Sequence, residues 1–537
     1  MGKIDFGKKI MAEKQMHGLG IAVKSSLKEL AQTFAAFFKA PRALWGVNIP
    51  YVFEGLVYFG ILTILGKFCS ENVALNDIHS GWVYGGVTGG ITFAMLLFGG
   101  VSDKIGVRVS LALSLGVMMV GRVLVSVSGT VSLGRGLGSP MFFLMAVGLL
   151  LMVAAYGLYM PAAYAGVKRY TNPQTAAVGY AVIYGLMNLG AFLSGFLSSN
   201  TRHVFEAKFP PNGLTAVFWL YSALTLFGSL LTLTIITRKT DRQAVDQVGR
   251  ETRQMNTAAQ NEAADAAKIE KKIAPRIAAG PFFVWLALTL AALALLILSR
   301  TGMIHLPGSI AYPFLALAIT GAIWEFFRKR PEHPFRDRRF VFFIFILIPV
   351  QTLFAHNWLT IPYYLDRAFA GTSVSRYFEV FSNINPILIF ILSPIIAALT
   401  ARSNVYKMMI YGTFVMALPT FLLALGPNVY LFLIYVLMTS LGEAMWQPRF
   451  LQWVAEIAPE GKTGSYMGIG QFPWFLTKMI TSTYSGYMIA RYCPKPGANL
   501  PMNTGTMWLL YAVIAMISPI ALVLARRWMA KGMTRNG

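Results

Sequence analysis

Ionisable side chains set deep inside long apolar runs carry most of the chemistry legible in this chain. A charged group near a bilayer centre costs a few kcal/mol on insertion scales, so each one needs a partner, a wet cavity or a role. Glu54 is such a group, and Tyr51 and Tyr58 share its helical face, three residues before it and four after. This stripe of two phenols and a carboxyl suits a central cavity, or a hydrogen bond to a neighbouring helix. Glu54 has no cation beside it on its own run, so burial would hold it protonated, the form a proton-coupled site needs to load and release. Glu443 lies mid-run with Gln447 one turn on, while Arg449, six residues away, faces elsewhere. Lys478 sits in a stripe with Gln471, Ser482 and Ser485, flanked by Trp474 and Thr481, a polar face that lipid cannot satisfy. Glu443 and Lys478 are expected to meet across adjacent helices, within one hydrogen bond or sharing a bound water, as a static bridge or as an anchor for an anionic substrate group. Arg122 lies 13 residues past Val109, about 20 Å into its run at about 1.5 Å per residue, either buried or snorkelling outward. Gln351, His356 and Asn357 mark one further run and Asn383 and Asn385 the next; Trp446 and Trp474 are candidate cavity walls or packing residues.

Composition says what must position these groups. The chain has 537 residues, 56% hydrophobic and only 13% charged, against about 25% charged in an average soluble domain. The mean hydropathy is +0.57. This is the profile of an all-helical, polytopic membrane protein. Apolar runs occupy 44–66, 80–101, 109–128, 140–165, 176–199, 214–237, 281–299, 308–327, 340–364, 376–400, 405–425, 428–455, 464–490 and 505–526, fourteen spans in all. The net charge of +24 comes from 46 basic and 22 acidic residues. The basic residues sit mostly in short segments between runs, where they contact lipid headgroups and set topology rather than bind nucleic acid. The set holding Lys104, Arg108, Lys168, Arg169, Arg238 to Arg276, Arg328 to Arg339, Arg402, Lys407, Lys462, Arg526 and Lys531 is expected to face the cytoplasm. Both termini then lie there, while Glu71, Asp77, Arg135, Asp366 and Arg491 scatter on the far side. The first apolar run starts too late and runs too long for a cleaved leader. A bacterial inner membrane suits this topology. The two cysteines and six scattered histidines fit no zinc, iron–sulfur or haem pattern, no phosphate-binding loop occurs, and no nucleophile–base pair is legible, so neither a cofactor nor an enzyme activity is expected.

Six spans precede the polar stretch 238–280 and eight follow. Residues 281–327 read as an inserted, lipid-facing helix pair, peripheral to the rest. Without it the chain is a basic segment 1–43, with an amphipathic stretch at 25–39, a six-helix bundle 44–237, a partly helical linker 238–280, a second six-helix bundle 328–526 and a tail 527–537. Two bundles of six that rock about a central site are a familiar transporter plan.

The loop after the second span, Gly99-Gly100-Val101-Ser102-Asp103-Lys104-Ile105-Gly106-Val107-Arg108, resembles the signature loop of the major facilitator superfamily. The resemblance implies that fold, with Gly99, Asp103, Lys104, Gly106 and Arg108 as gating or structural residues. Three further stretches resemble proton-dependent oligopeptide transporters: Ile183-Tyr184-Gly185-Leu186-Met187-Asn188-Leu189-Gly190-Ala191, Ser382-Asn383-Ile384-Asn385-Pro386 running on to Ser393-Pro394, and Leu441-Gly442-Glu443 followed by Ala458-Pro459. The bacterial members of that family also carry two extra helices between their bundles. The family's first helix has a Glu-x-x-Glu-Arg cluster; here the positions read Tyr51, Glu54 and Gly55, and its fourth-helix lysine is Met160. The resemblance therefore implies a secondary transporter of a small organic solute, peptide-like in the first instance, with protons as candidate coupling ion. Substrate or coupling candidates are Tyr51, Glu54, Tyr58, Arg122, Asn188, Gln351, Asn385, Glu443, Trp446, Gln471, Trp474 and Lys478. The same fold carrying a lipid or amphipathic drug is the alternative, and a non-transporting scaffold subunit a further one; monomer and oligomer are both compatible with the sequence.

Overall fold

A chain that crosses a bilayer must satisfy its backbone amides internally, and every regular element among the described residues is helical. The computed structural model describes residues 40–98, 101–172, 175–262, 333–400, 403–457, 472–495 and 500–533, with isolated positions in 284–325 and at 466, 469, 470 and 497. The amphipathic stretch 25–39, Gly99, Gln471 and much of the inserted pair lie outside the described residues.

The first six spans are α1 Arg42–Lys67, α2 Asp77–Phe98, α3 Val107–Thr130, α4 Pro140–Arg169, α5 Ala176–Phe205 and α6 Leu214–Ile235. The linker continues as α7, Arg238–Glu262. In the second half the seventh span is broken: Arg338–Ile346 is followed by α8, Ile348–Leu359, and α9, Ile361–Ala368. Pro349 and Pro362 stand in the first turns of α8 and α9, where a missing N–H costs nothing. The single helix expected over 340–364 is therefore three. The eighth span breaks in the same way at Asn383, between Phe378–Ser382 and α10, Ile384–Leu399. Then follow α11 Val405–Ala417, α12 Val429–Ile457, α13 Phe472–Tyr492 and α14 Thr504–Met533. Ten helices among the described residues are long and apolar enough to cross a membrane.

By packing, the chain divides into Met1–Ala259 with Ile344–Gly537, and Gln260–Phe343. Within the second unit the Trp285 ring lies where a Cβ on Gly321 would sit, so its two described helical stretches touch. Within the first, the six-helix halves meet along a seam. There α2 and α13 pack through small residues: a Cβ on Gly81 would come within 3.0 Å of the Ser482 carbonyl oxygen, and one on Gly486 within 2.6 Å of the Asp77 carbonyl oxygen. Glycine in α2 and serine and threonine in α13 allow close approach of these two helices, which are absent from the ten.

Candidate functional site

Four helices of the N-terminal bundle converge on Glu54. The Arg122 guanidinium reaches it from α3, with Nη1 3.0 Å from Oε2 and Nη2 paired to Oε1. Tyr156 of α4 donates its hydroxyl to Glu54 Oε1 at 2.6 Å and accepts from Arg122 Nη2 at 2.7 Å. Thr225 of α6 accepts from Arg122 Nη1. Arg122 is 0% exposed and Glu54 3%. The expectation that Glu54 lacks a cation, and is therefore held protonated, is overturned: the cation comes from another helix. Arg122 does not snorkel outward. Glu54 lies 12 residues from the start of α1 and Arg122 15 from the start of α3, so the charges stand about 18 and 22 Å deep. That matched depth was the signal in the sequence. Tyr58 packs edge-on against Tyr156 at 5.1 Å; Tyr51 stacks on Tyr159 at 5.9 Å and its hydroxyl meets Met160 Sδ at 3.1 Å.

Across the seam, Asn385 of α10 donates Nδ2 to Glu443 Oε2 at 3.1 Å and to Ser440 Oγ at 2.9 Å. Tyr184 of α5 is within electrostatic reach of Glu443, and Asn188 returns its amide to the Tyr184 carbonyl at 3.0 Å. Trp446 donates Nε1 to Met416 Sδ at 3.1 Å and stacks on Trp474 at 6.3 Å, and Trp474 meets Phe354 at 5.2 Å. Gln351 accepts from Thr477 at 3.1 Å. Lys478 makes no ion pair or hydrogen bond among the described residues, so the direct bond expected between it and Glu443 is not formed. Glu443 faces α10, whereas Lys478 precedes by one turn Ser482, which abuts α2. His356 is held by Thr360 at 2.7 Å and Tyr484 at 3.0 Å and stacks on Tyr511 at 3.9 Å, a packed structural histidine.

Of the charges read as scattered at the far end of the helices, Asp77 and Asp366 are paired across the seam. Lys67 meets Asp366 at 2.6 Å and Glu71 at 3.4 Å. Arg367 holds both oxygens of Asp77 at 2.8 and 2.9 Å and the Cys493 carbonyl at 2.8 Å. Arg202 meets Glu379 at 2.5 Å, Asn383 donates to Thr63 at 3.1 Å, and Lys495 donates to the Ser70 carbonyl at 3.0 Å. A cleft of about 10 Å³ remains between Gly66, Asp77, Tyr84, Trp358, Tyr363 and Ser485, room for about one water. These partners across the seam lie 177 to 425 residues apart in sequence, and no local pattern reveals them.

At the opposite end the described ties of the N-terminal bundle run within it and to its linker. Arg108 donates to the Ile236 carbonyl at 2.8 Å, Gly106 opens α3 at φ +83°, and Lys104 is exposed; Asp103 stands in the short helix Val101–Ile105. Asp241 of α7 takes Arg169 at 2.9 and 3.1 Å and Tyr170 at 2.7 Å, and Asn172 donates to Glu251 at 2.8 Å. Burial pushes the Asp241 carboxyl up, and the Arg169 and Tyr170 hydrogen bonds more than offset this, leaving it below its ordinary value.

The sequence profile described as Major Facilitator Superfamily matches residues 48–372. Among solved structures, a peptide transporter POT in complex with sulfate superposes with a TM-score of 0.61 at 16% identity, covering 92% of this chain and 96% of that one. A structure from work on substrate recognition in proton dependent oligopeptide transporters gives 0.62 at 16%, covering 92% and 99%. A POT family transporter in complex with 5-aminolevulinic acid gives 0.58 at 14%, covering 91% and 97%. No curated protein sequence matches the chain.

Proposed function

Because the chain belongs to the major facilitator superfamily, we propose that it is a secondary transporter that carries a small organic solute by alternating access between its two bundles. The observation that supports this best is the set of buried ion pairs crossing the seam at one end, Lys67–Asp366, Arg367–Asp77 and Arg202–Glu379. Alternating access needs a gate that holds shut and also opens. Direct ion pairs between two rigid bodies suit that task better than an apolar seam, because water can take over their hydrogen bonds once the bundles part. With both termini cytoplasmic, the state described is closed to the far side.

The solute site lies along the seam toward the middle of the helices, near Glu443, Asn385, Tyr184, Trp446 and Trp474. Peptide-like zwitterions are the first cargo to test, since transporters with this fold include ones that bind such molecules. Proton coupling falls to Glu443. Among the described residues its carboxylate is met by one neutral donor, Asn385, whereas the Glu54 carboxylate is fixed by Arg122. A carboxyl without a cation can gain and lose a proton as the cavity opens and closes.

The test is counterflow and pH-driven uptake of labelled dipeptides in proteoliposomes. Wild-type protein should exchange cargo without a gradient and concentrate it when the outside is acidified. Glu443→Gln should keep counterflow and lose at least ten-fold of the gradient-driven uptake, and Glu54→Gln should not separate the two. Counterflow at the level of protein-free vesicles for dipeptides, amino acids and amphipathic cations alike would remove the transport reading and leave a scaffold role.

A further inference from the structure

One charged group of the seam has no partner among the described residues. Lys478 sits mid-helix in α13, half-buried, and meets no acid and no hydrogen-bond acceptor among the described residues. Of the carboxylates at similar depth, Glu54 is committed to Arg122, and Glu443 meets Asn385 and not Lys478. The elements packed against α13 offer no other anion. Residues 80–98 of α2 contain no Asp, Glu, Lys, Arg or His, and α8 contributes only His356, held by Thr360 and Tyr484. An unpaired cation within a membrane helix is costly, so its retention points to an anion that comes and goes.

The direction in which Lys478 lies follows from its neighbours on the helix. One turn before it, Trp474 stacks on Trp446 of α12 and meets Phe354 of α8. One turn after it, Ser482 abuts Gly81 and Gly85 of α2, in the other bundle. Lys478 therefore stands on the face of α13 that looks along the seam. Close by on the same helix, Thr477 ties up Gln351 Oε1 and leaves the Gln351 Nε2 donor buried and unmatched, and Ser485 Oγ is likewise unmatched. The neighbourhood is one of donors with a cation and no acid.

Its depth can be compared with that of Glu443. Helix α10 begins at the Lys67 end, where Glu379 meets Arg202, and α12 runs alongside it in the same direction, Asn385 beside Glu443 and Thr400 beside Arg449. Helix α13 runs the other way, ending where Gly486 packs on Asp77 and Cys493 on Arg367. Glu443 lies three residues before Trp446 and Lys478 four residues after Trp474. Both are therefore displaced toward the Lys67 end from the stacked tryptophans, by about 4.5 and 6 Å at about 1.5 Å per residue. Opposite charges stand at one level beyond an aromatic platform without pairing to each other.

We propose that Lys478 is the anion subsite of the transport site, binding the carboxylate of a zwitterionic cargo whose ammonium group faces Glu443. This rests on the transport reading above and adds to it the residue and the bundle that hold the anionic end of the cargo. The N-terminal bundle has no free deep cation for that task, because Gly55 and Met160 are neutral and Arg122 is spent on Glu54.

The test uses alanylalanine, alanylalanine amide and N-acetyl-alanylalanine as probes of the full chain in detergent and in proteoliposomes. Wild-type protein should be thermally stabilised by the two probes with a free carboxylate and not by the amide, and should exchange alanylalanine. Lys478→Gln should lose at least ten-fold of the alanylalanine response, and Lys478→Arg should keep part of it. Without any probe, Lys478→Met should raise the melting temperature, since it removes an unpaired, half-buried charge; a lysine with a structural partner would give the opposite sign. Equal action of acid and amide, an unchanged Lys478→Gln response, or a less stable Lys478→Met overturns the subsite. If wild-type protein exchanges alanylalanine and Lys478→Gln does so equally, only the subsite fails. If no probe binds or moves, the subsite and the transport reading fail together.

Discussion

Removing Arg122 is the sharpest way to ask what the Glu54 cluster is for. The guanidinium ties four helices together: Glu54 on α1, its own α3, Tyr156 on α4 and Thr225 on α6. Arg122→Ala strips the charge partner from a carboxylate that is 3% exposed and leaves it one hydrogen bond, from Tyr156. Breaking one side of a buried pair costs about 3–5 kcal/mol, because the remaining charge has neither water nor partner. Glu54→Ala leaves Arg122 with neutral acceptors only and should cost a similar amount. Replacing both with apolar groups of similar volume, Glu54→Leu with Arg122→Met, removes both charges and should restore stability to within about 1–2 kcal/mol of wild type. Unfolding in mixed micelles, followed by intrinsic tryptophan fluorescence, gives the four corners of the cycle. A strongly favourable coupling energy is expected, together with dipeptide counterflow that survives in the double variant. If the two single losses simply add, the residues do not act as a buried pair. If the double variant is stable yet transports nothing, the pair belongs to the transport cycle and the assignment of coupling to Glu443 is wrong.

Other outcomes follow from the same geometry. Arg367→Gln should open the Lys67 end: thiol labelling of a cysteine introduced at Tyr84 should speed up by ten-fold or more, whereas unchanged labelling would mean that the ion pairs do not hold that end shut. Gly55→Ala should destabilise by about 1–3 kcal/mol, since its Cβ would fall 2.8 Å from the Met187 carbonyl oxygen and force α1 and α5 apart; a neutral result would refute that close approach. The Asp241 carboxyl, lowered by Arg169 and Tyr170 in spite of burial, stabilises the docked α7 at pH values above the unfolded carboxyl value of about 3.9, and that contribution is lost as the pH falls through its folded value. Hydrogen exchange in α7 should therefore accelerate in acid for wild-type protein and be fast and less pH-dependent for Asp241→Asn.

The spans were legible because an apolar run long enough to cross a bilayer has few alternatives, and the signature loop at Asp103 pointed to the superfamily. What failed was pairing. Glu54 was read against residues on its own helix, where Tyr51 and Gly55 offer no charge, although Arg122 stood at matching depth two spans on. Glu443 and Lys478 were matched because they were opposite charges on successive spans, yet Asn385 was already in reach of Glu443 and the faces diverge. The seam pairs of Lys67, Arg367 and Arg202 join residues up to 299 positions apart and depend on how two bundles meet, which helical periodicity does not encode. The breaks at Thr360 and Asn383 were hidden because hydropathy averages over them, though Pro349 and Pro362 were visible markers.

The central claim, that two bundles move against each other about a solute site, is tested most directly by locking the seam during transport. Thr63→Cys with Asn383→Cys places one thiol on each bundle at a contact now bridged at 3.1 Å. The measurement is counterflow of labelled alanylalanine in proteoliposomes before cross-linking with a short bis-methanethiosulfonate, after it, and after reduction. Exchange should be present, fall to the protein-free level when the seam is locked, and return when the link is cut. Exchange that continues through a fully cross-linked protein would contradict alternating access at this seam, and an absence of exchange throughout would contradict transport of this cargo.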